Sequence, residues 1–443
     1  MNSIESKKSL GLSGEIKVPG DKSISHRALI IGSMVNGKIK IKNLLESEDV
    51  IATANALKQL DVKINKVTQN EWEVFGNGIG CLEGSNPLLD MGNSGTGVRL
   101  LMGLVAGSDV EATFTGDKSL SKRPMERIIK PLIMNGAFVH NENNNTLPIR
   151  IKGNRIPLPI KYQSPVASAQ VKSAIFLAGL SSLGKTTVIE PSLSRDHTER
   201  LLKYLGAEVI TNQLPDLSWE IILQGMPELN PLDISVPSDP SSAAFPIVTA
   251  IITPNSEVLV KNVCINKLRI GLYETLIEMG ANIKFLNERE IDGENIADIS
   301  AKSSSLIGIT VPKSRAPSMI DEYPILAVAA SIANGVTIME GVQELRYKET
   351  DRIKAMAEGL SSMGIQTHNT EDSLTIYGKG TSSLIEGGVN IHSMLDHRIA
   401  MSFLCLGLIS KKPIIVNDTD TISSSFPNFF DEMNKIGAKL NYI

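Results

Sequence analysis

Aromatic residues make up only 4% of the 443 positions, and there are just three cysteines. Cys81, Cys264 and Cys405 lie far apart, are odd in number and lack metal-ligand spacing. That argues against a disulfide framework or a zinc site, and buried structural thiols are expected. An excess of one charge is also missing, since 44 Lys and Arg face 48 Asp and Glu with no run of like sign. A nucleic-acid tail or continuous basic face is thereby excluded. Long apolar runs are absent too: Ile325–Ala333 and Met401–Ile409 reach about half of the roughly 18 residues a membrane span needs. The start, Met1–Gly14, is polar and contains Lys7 and Lys8, unlike a secretory leader. A cytoplasmic protein, bound neither to membrane nor to nucleic acid, is the expectation. What is present is an ordinary globular composition, 42% hydrophobic and 21% charged, on a chain long enough for more than one core.

One pattern recurs along the chain. An apolar helix-like stretch ends in Gly, usually followed by Ala and a β-rich segment, at Leu132–Ala137, Leu202–Ala207, Leu276–Ala281, Leu360–Ile365 and Phe430–Ala438. Leu57–Val62 (LKQLDV) is a degenerate copy. Gly136, Gly206, Gly280, Gly364 and Gly437 are 70, 74, 84 and 73 residues apart, so six units fill the chain. Each Gly stands where a helix C-terminus requires the left-handed conformation. Upstream in every unit lies a second helix that is apolar nearly all round and must therefore be buried: Ser25–Asn36, Gly95–Gly107, Ser168–Ser181, Ser241–Ile252, Asp321–Asn334 and Asp396–Ile409. Six α/β units suggest two domains of three, because one core rarely grows past about 250–300 residues. The polar, Pro-rich Pro227–Pro240 is the candidate boundary.

Polar chemistry gathers where these helices begin: GDKSISHR (20–27), GNSGTGVR (92–99), SPVASAQVKS (164–173), PSDPSSAA (237–244), SMIDEYP (318–324) and SMLDHR (393–398). Capping accounts for the Ser and Asp residues. It does not account for Lys22, Arg27, Arg99, Lys172 and Arg398, because the helix dipole disfavours cations there. Something anionic should compensate them, and small phosphate or carboxylate ligands fit. Asp321 and Glu349, near Lys348 and Arg352, are acid–base candidates, although spacing alone favours a cap or ion pair. His26, His197 and His397 adjoin basic residues and read as neutral orienting partners. Gly179–Thr186 (GLSSLGKT) matches the P-loop pattern, but a helix-like segment precedes it and a strand-like one follows. A P-loop needs the reverse order, so an ATP-dependent phosphotransferase is disfavoured.

Taken together, GDKSISHRAL, GNSGTGVRLL, LSKRPM, SAQVKSA, SRDHTE, LRYKETDRI, DHRIAM and SFPNF, in that order from about Gly14 to the C-terminus, resemble the 5-enolpyruvylshikimate-3-phosphate synthase family, with SAQVK, RDHTE and GDKS resembling its class II group. The resemblance implies an α/β fold of two inside-out αβ barrels with three repeats each. Residues 21–234 would form one domain and 1–20 with 235–443 the other, the active site lying in the cleft between them. It further implies that Lys22, Ser23, Arg27, Ser168, Ala169, Gln170, Ser194, Asp321 and Lys348 bind shikimate 3-phosphate. Lys22, Gly95, Arg123, Gln170, Arg352 and Arg398 would bind phosphoenolpyruvate. Asp321, Glu349 and Lys22 would move protons in an addition–elimination reaction without metal or cofactor, in a monomer. Two departures stand out: Ser424 in SSSFP replaces a lysine of some members, and Asn266–Arg269 (NKLR) departs from the NxTR of class II. A sister family acting on UDP-N-acetylglucosamine carries a cysteine where this chain has Lys118, which disfavours that substrate. A non-catalytic repeat scaffold would leave the charged helix starts without purpose.

Overall fold

The six repeated helix ends are built alike. In a computed structural model describing residues 2–141, 145–380 and 385–443, Gly136, Gly206, Gly280, Gly364 and Gly437 all have positive φ, from 75° to 107°. At each, two backbone bonds close the helix. Ala207 N–H reaches the Leu202 carbonyl at 2.8 Å and Gly206 N–H the Lys203 carbonyl at 3.0 Å, and the same pair recurs from Val62 and Asp61 through to Ala438 and Gly437. This is the Schellman closure, which satisfies carbonyls that a helix end would otherwise leave bare. The degenerate copy obeys it with Asp61 at φ 61° in the glycine position.

Each repeat then runs strand, buried helix, strand, amphipathic helix, strand, strand. In the second, Ser85–Asp90, Glu111–Thr115, Phe138–His140 and Ile149–Lys152 make one sheet whose first two strands are parallel and whose other pairs are antiparallel. The third and fifth repeats are self-contained in the same way. The other three are completed from elsewhere. Ile234–Ser235 adds the missing parallel strand beside Asn36–Lys42, and Ser13–Ile16 does so beside Glu257–Cys264. Ile4–Ser6 fills the sixth sheet between Ile414–Asn417 and Leu440–Tyr442. Within Asn36–Lys42, Ile39 and Ile41 are buried while Lys38, Lys40 and Lys42 face outward, the alternation of a one-sided sheet.

The chain divides into one unit of residues 20–236 with 291–294 and another of 1–19, 237–290 and 295–443. In the first, the buried helices Lys22–Ser33, Gly95–Ala106 and Ala169–Gly179 pack in sequence. A Cβ on Gly103 or Gly107 would come within 2.6 Å or 2.9 Å of the Ala174 or Ala178 Cα, so only glycine lets these backbones approach. In the second, Pro240–Ile252, Tyr323–Ile332 and His397–Gly407 pack against one another. Helices inside and sheets outside is the inside-out α/β arrangement.

Two expectations need correction. The first buried helix begins at Lys22 and ends at Ser33, three residues earlier than its apolar pattern suggests, because Asp21 accepts the Ile24 N–H at 2.8 Å and caps it there. Of the thiols, Cys264 and Cys405 are buried but Cys81 is exposed, since it sits in a turn. The P-loop look-alike is a helix-to-strand turn between Ala169–Gly179 and Lys185–Glu190, with no helix start facing outward after it.

Asp61 at a left-handed, exposed helix end gives a test. Asp61→Gly should raise unfolding stability by about 0.5–1 kcal/mol, and Gly206→Ala should lower it, because the added Cβ meets strain at φ 103°. Denaturant midpoints check both, and a lower midpoint for Asp61→Gly would contradict the assignment of a C-terminal cap there.

Candidate functional site

The starts of the buried helices carry two polar clusters, one in each unit. In the unit of residues 20–236, Lys22 opens its helix and forms an ion pair with Asp49 on the neighbouring Glu48–Gln59 helix. One turn on, Arg27 is buried, and its guanidinium donates to Thr198 Oγ1 at 2.7 Å, Ser173 Oγ at 2.8 Å and the Ser23 carbonyl at 2.9 Å. The second helix starts at Gly95, capped by Ser94. Gln170 joins this helix to the third, accepting from Arg99 at 2.7 Å and donating to Thr96 at 3.0 Å. Arg123 reaches Asn93 at 2.8 Å, and a Cβ on Gly95 would lie 2.8 Å from the Arg123 Nη1. The backbone therefore lets that guanidinium lie against the helix start.

The third helix start depends on a buried carboxylate. Ser168 caps the helix that Ala169 and Gln170 begin, and its own N–H donates to Glu190 Oε1 at 3.0 Å. Glu190 also accepts the Ser194 hydroxyl at 2.7 Å and the Lys172 ammonium at 2.9 Å. Lys172 has a second carboxylate, Glu199, at 2.8 Å. Burial opposes its charge, yet Glu199 and Glu190 together raise its pKa above the usual lysine value. The expectation that an external anion compensates Lys172 is therefore wrong, since the protein's own carboxylates do so.

The other unit shows the same internal matching. Arg352 is 1% exposed in its side chain and donates to Asp396 at 2.8 Å and Glu349 at 2.6 Å, with Asp321 3.6 Å away. Burial disfavours its charge, but Asp396 foremost, then Glu349 and Asp321, hold its pKa above the ordinary arginine value. Lys348 lies 3.4 Å from Asp321, and Arg398 lies 3.8 Å from Glu322. Asp396 also caps the last buried helix by accepting the Arg398 N–H at 2.9 Å. Asp321, Lys348 and Glu349 remain partly exposed around buried Arg352, so paired carboxylates and amines face outward on a fixed cationic base.

All the site residues expected from the sequence thus fall into these two clusters. Lys22, Ser23, Arg27, Gly95, Arg123, Ser168, Ala169, Gln170 and Ser194 lie in the first, and Asp321, Lys348, Glu349, Arg352 and Arg398 in the second. Sequence reasoning missed the partners Asp49, Glu190, Glu199, Glu322 and Asp396. Asp396 and Glu322 carried a local signal, as residues of the quoted helix starts, and Glu199 ends the quoted SRDHTE motif.

The family model for EPSP synthase (3-phosphoshikimate 1-carboxyvinyltransferase) matches residues 6–433. The chain belongs to the EPSP synthase family. It is 50% identical to the 3-phosphoshikimate 1-carboxyvinyltransferase of Parvibaculum lavamentivorans, over 99% of this chain and 96% of that one. With the protein of the same name from Bartonella quintana it shares 49% identity over 98% of both. Its fold is similar to that of a solved EPSP synthase from Acinetobacter baumannii, with TM-score 0.90 and 43% identity over the full length of both chains. The enolpyruvyl transferase NikO of Streptomyces tendae, at TM-score 0.79 and 15% identity, shares the fold.

His26, expected from the sequence to be a neutral orienting group, lies on the first of the buried helices between Lys22 and Arg27. It is wholly buried, with Nδ1 2.8 Å from Thr53 Oγ1. Burial pushes its pKa well below the usual imidazole value, and Lys22 and Arg27 push the same way against Asp21. A depressed folded-state pKa means that the unfolded chain binds the proton first, so stability falls as pH drops below about 6.5, by up to about 1.4 kcal/mol per unit. His26→Gln should flatten this slope between pH 6.5 and 5 in denaturant titrations. Parallel slopes for mutant and parent would contradict it.

Proposed function

We propose that the protein transfers the enolpyruvyl group of phosphoenolpyruvate to the 5-hydroxyl of shikimate 3-phosphate and releases phosphate. This places it in the shikimate pathway, toward chorismate and the aromatic amino acids. The observation that carries the reading is that seven of the eight ordered motifs contribute to two clusters of cations, carboxylates and helix starts, in a chain of this family. The reading has both clusters act on one substrate pair. Lys22, Ser23, Arg27, Ser168, Ala169 and Gln170 hold the phosphosugar together with Asp321 and Lys348. Arg123, Arg352 and Arg398 hold phosphoenolpyruvate with Lys22, Gln170 and the Gly95 backbone, because planar guanidinium groups match carboxylate and phosphate.

In the addition step Asp321 accepts the 5-hydroxyl proton as that oxygen bonds to C2 of phosphoenolpyruvate, while C3 gains a proton. In the elimination C3 loses a proton, the C2–O bond to phosphate breaks and phosphate leaves. Glu349 and Lys22 handle the protons at C3 and at the leaving group. No metal or cofactor takes part in this reading, and the protein acts as a cytoplasmic monomer. Among the described residues no helix is long and apolar enough to cross a membrane. Lys118, exposed in a turn, leaves the UDP-N-acetylglucosamine alternative without its cysteine.

Phosphate should appear from phosphoenolpyruvate only when shikimate 3-phosphate is present, with EDTA and without ATP; release that needs ATP would overturn the reading. Asp321→Ala and Glu349→Ala should each lower kcat by about 10²- to 10⁴-fold while dissociation constants change far less. A folded variant with ordinary turnover would remove that residue from the proton path.

A further inference from the structure

The Ser194 hydroxyl has one hydrogen, and it points at Glu190, 2.7 Å from Oε1 and 2.9 Å from Oε2. A phosphate dianion needs donors, and a hydroxyl committed to a carboxylate offers it none. Glu190 itself is completely buried at the end of strand Lys185–Glu190 and presents no surface to solvent. Yet it gathers the Ser168 N–H, the Ser194 hydroxyl, the Ser194 N–H at 3.4 Å and the Lys172 ammonium. Ser168 opens the Ala169–Gln170 helix start, and Ser194 stands in the loop that leads to Thr198, on which Arg27 rests.

We infer that Glu190 is a positioning residue for the shikimate 3-phosphate half of the site. It ties the Ser168–Gln170 helix start and the Ser194 loop to one buried anion, and it withdraws Ser194 from direct phosphate contact. Lys172, 2.9 Å from Glu190, is its buried counter-charge. The inference rests on the function proposed above. It also changes one part of what the family resemblance implies, since Ser194 then supports the pocket and does not line it.

Glu199 supplies the control. Glu190→Gln and Glu199→Gln each remove one carboxylate from Lys172 at nearly constant volume, but only Glu190 holds Ser168 and Ser194. In Glu190→Gln one of the two oxygens becomes a donor facing donors, so the tie is broken. Calorimetric titration of the full chain with shikimate 3-phosphate should show binding at least tenfold weaker for Glu190→Gln, and within threefold of the parent for Glu199→Gln. The KM for phosphoenolpyruvate at saturating shikimate 3-phosphate should change less than the shikimate 3-phosphate affinity, because Arg123, Arg352 and Arg398 do not rest on Glu190. If Glu190→Gln does not fold, Glu190→Asp serves, because it keeps the charge opposite Lys172 but shortens the reach to Ser168, and it should also bind at least tenfold more weakly.

Parent-like affinity in the Glu190 variant used would overturn the inference. So would equal weakening in Glu199→Gln, which would trace the effect to the charge on Lys172. No binding by the unmodified protein would overturn the functional reading, and this inference with it.

Discussion

A helix buried along all its sides can present polar groups only at its ends. In both units the three central helices are apolar nearly throughout, and their backbone N–H groups are satisfied internally except over the first turn. Those first turns must find acceptors. Asp21, Ser94, Ser168, Asp239 and Asp396 supply some, as side-chain caps. Ligand oxygens are the other acceptors that such ends accommodate. Confinement of chemistry to the helix starts follows from burying the helices, and it explains why so many charged residues crowd into a few short motifs.

The sheets make that burial possible. A three-helix core needs apolar cover on its outside, and each sheet gives one apolar face, as Ile39 and Ile41 show. Three sheets lack one strand in their own repeat, and the segments Ile4–Ser6, Ser13–Ile16 and Ile234–Ser235 fill the gaps. The polypeptide is thus held at both ends of each unit by strand pairing, which leaves fewer bare sheet edges.

The repeats were legible in the sequence because each depends on a local rule. A Schellman end asks for glycine at one position, and five of six copies have it; even Asp61 could be placed by the spacing of the others. The helix-start cations were legible for a similar reason, since their presence contradicts the dipole. The strand exchange was not, because strands of two to four residues carry too little alternation to announce a partner two hundred residues away. Nor were the carboxylate partners. Asp49 lies 27 residues from Lys22 and Asp396 lies 44 from Arg352, and nothing local tells a surface acid from one folded against a buried base. The error over Lys172 had that origin: the sequence displays its charge, while Glu190 and Glu199 become its neighbours only through the fold.

These internal carboxylates alter what the clusters recognise. A pocket of bare cations would hold any small anion, inorganic phosphate included, with little regard to shape. Here Lys22, Lys348 and Arg352 already have partners in Asp49, Asp321 and Glu349. An incoming anion must compete with those partners, so charge alone brings little net gain. Asp396, fully buried against Arg352, cannot be displaced without leaving an unpaired charge in the core, a cost of about 3–5 kcal/mol. Asp321 and Glu349 are partly exposed and can give way. In the function proposed above, discrimination would rest on a ligand that meets several positions of a cluster together, and Asp321 and Glu349, on giving way to it, would become available as acceptors for the protons the reaction moves.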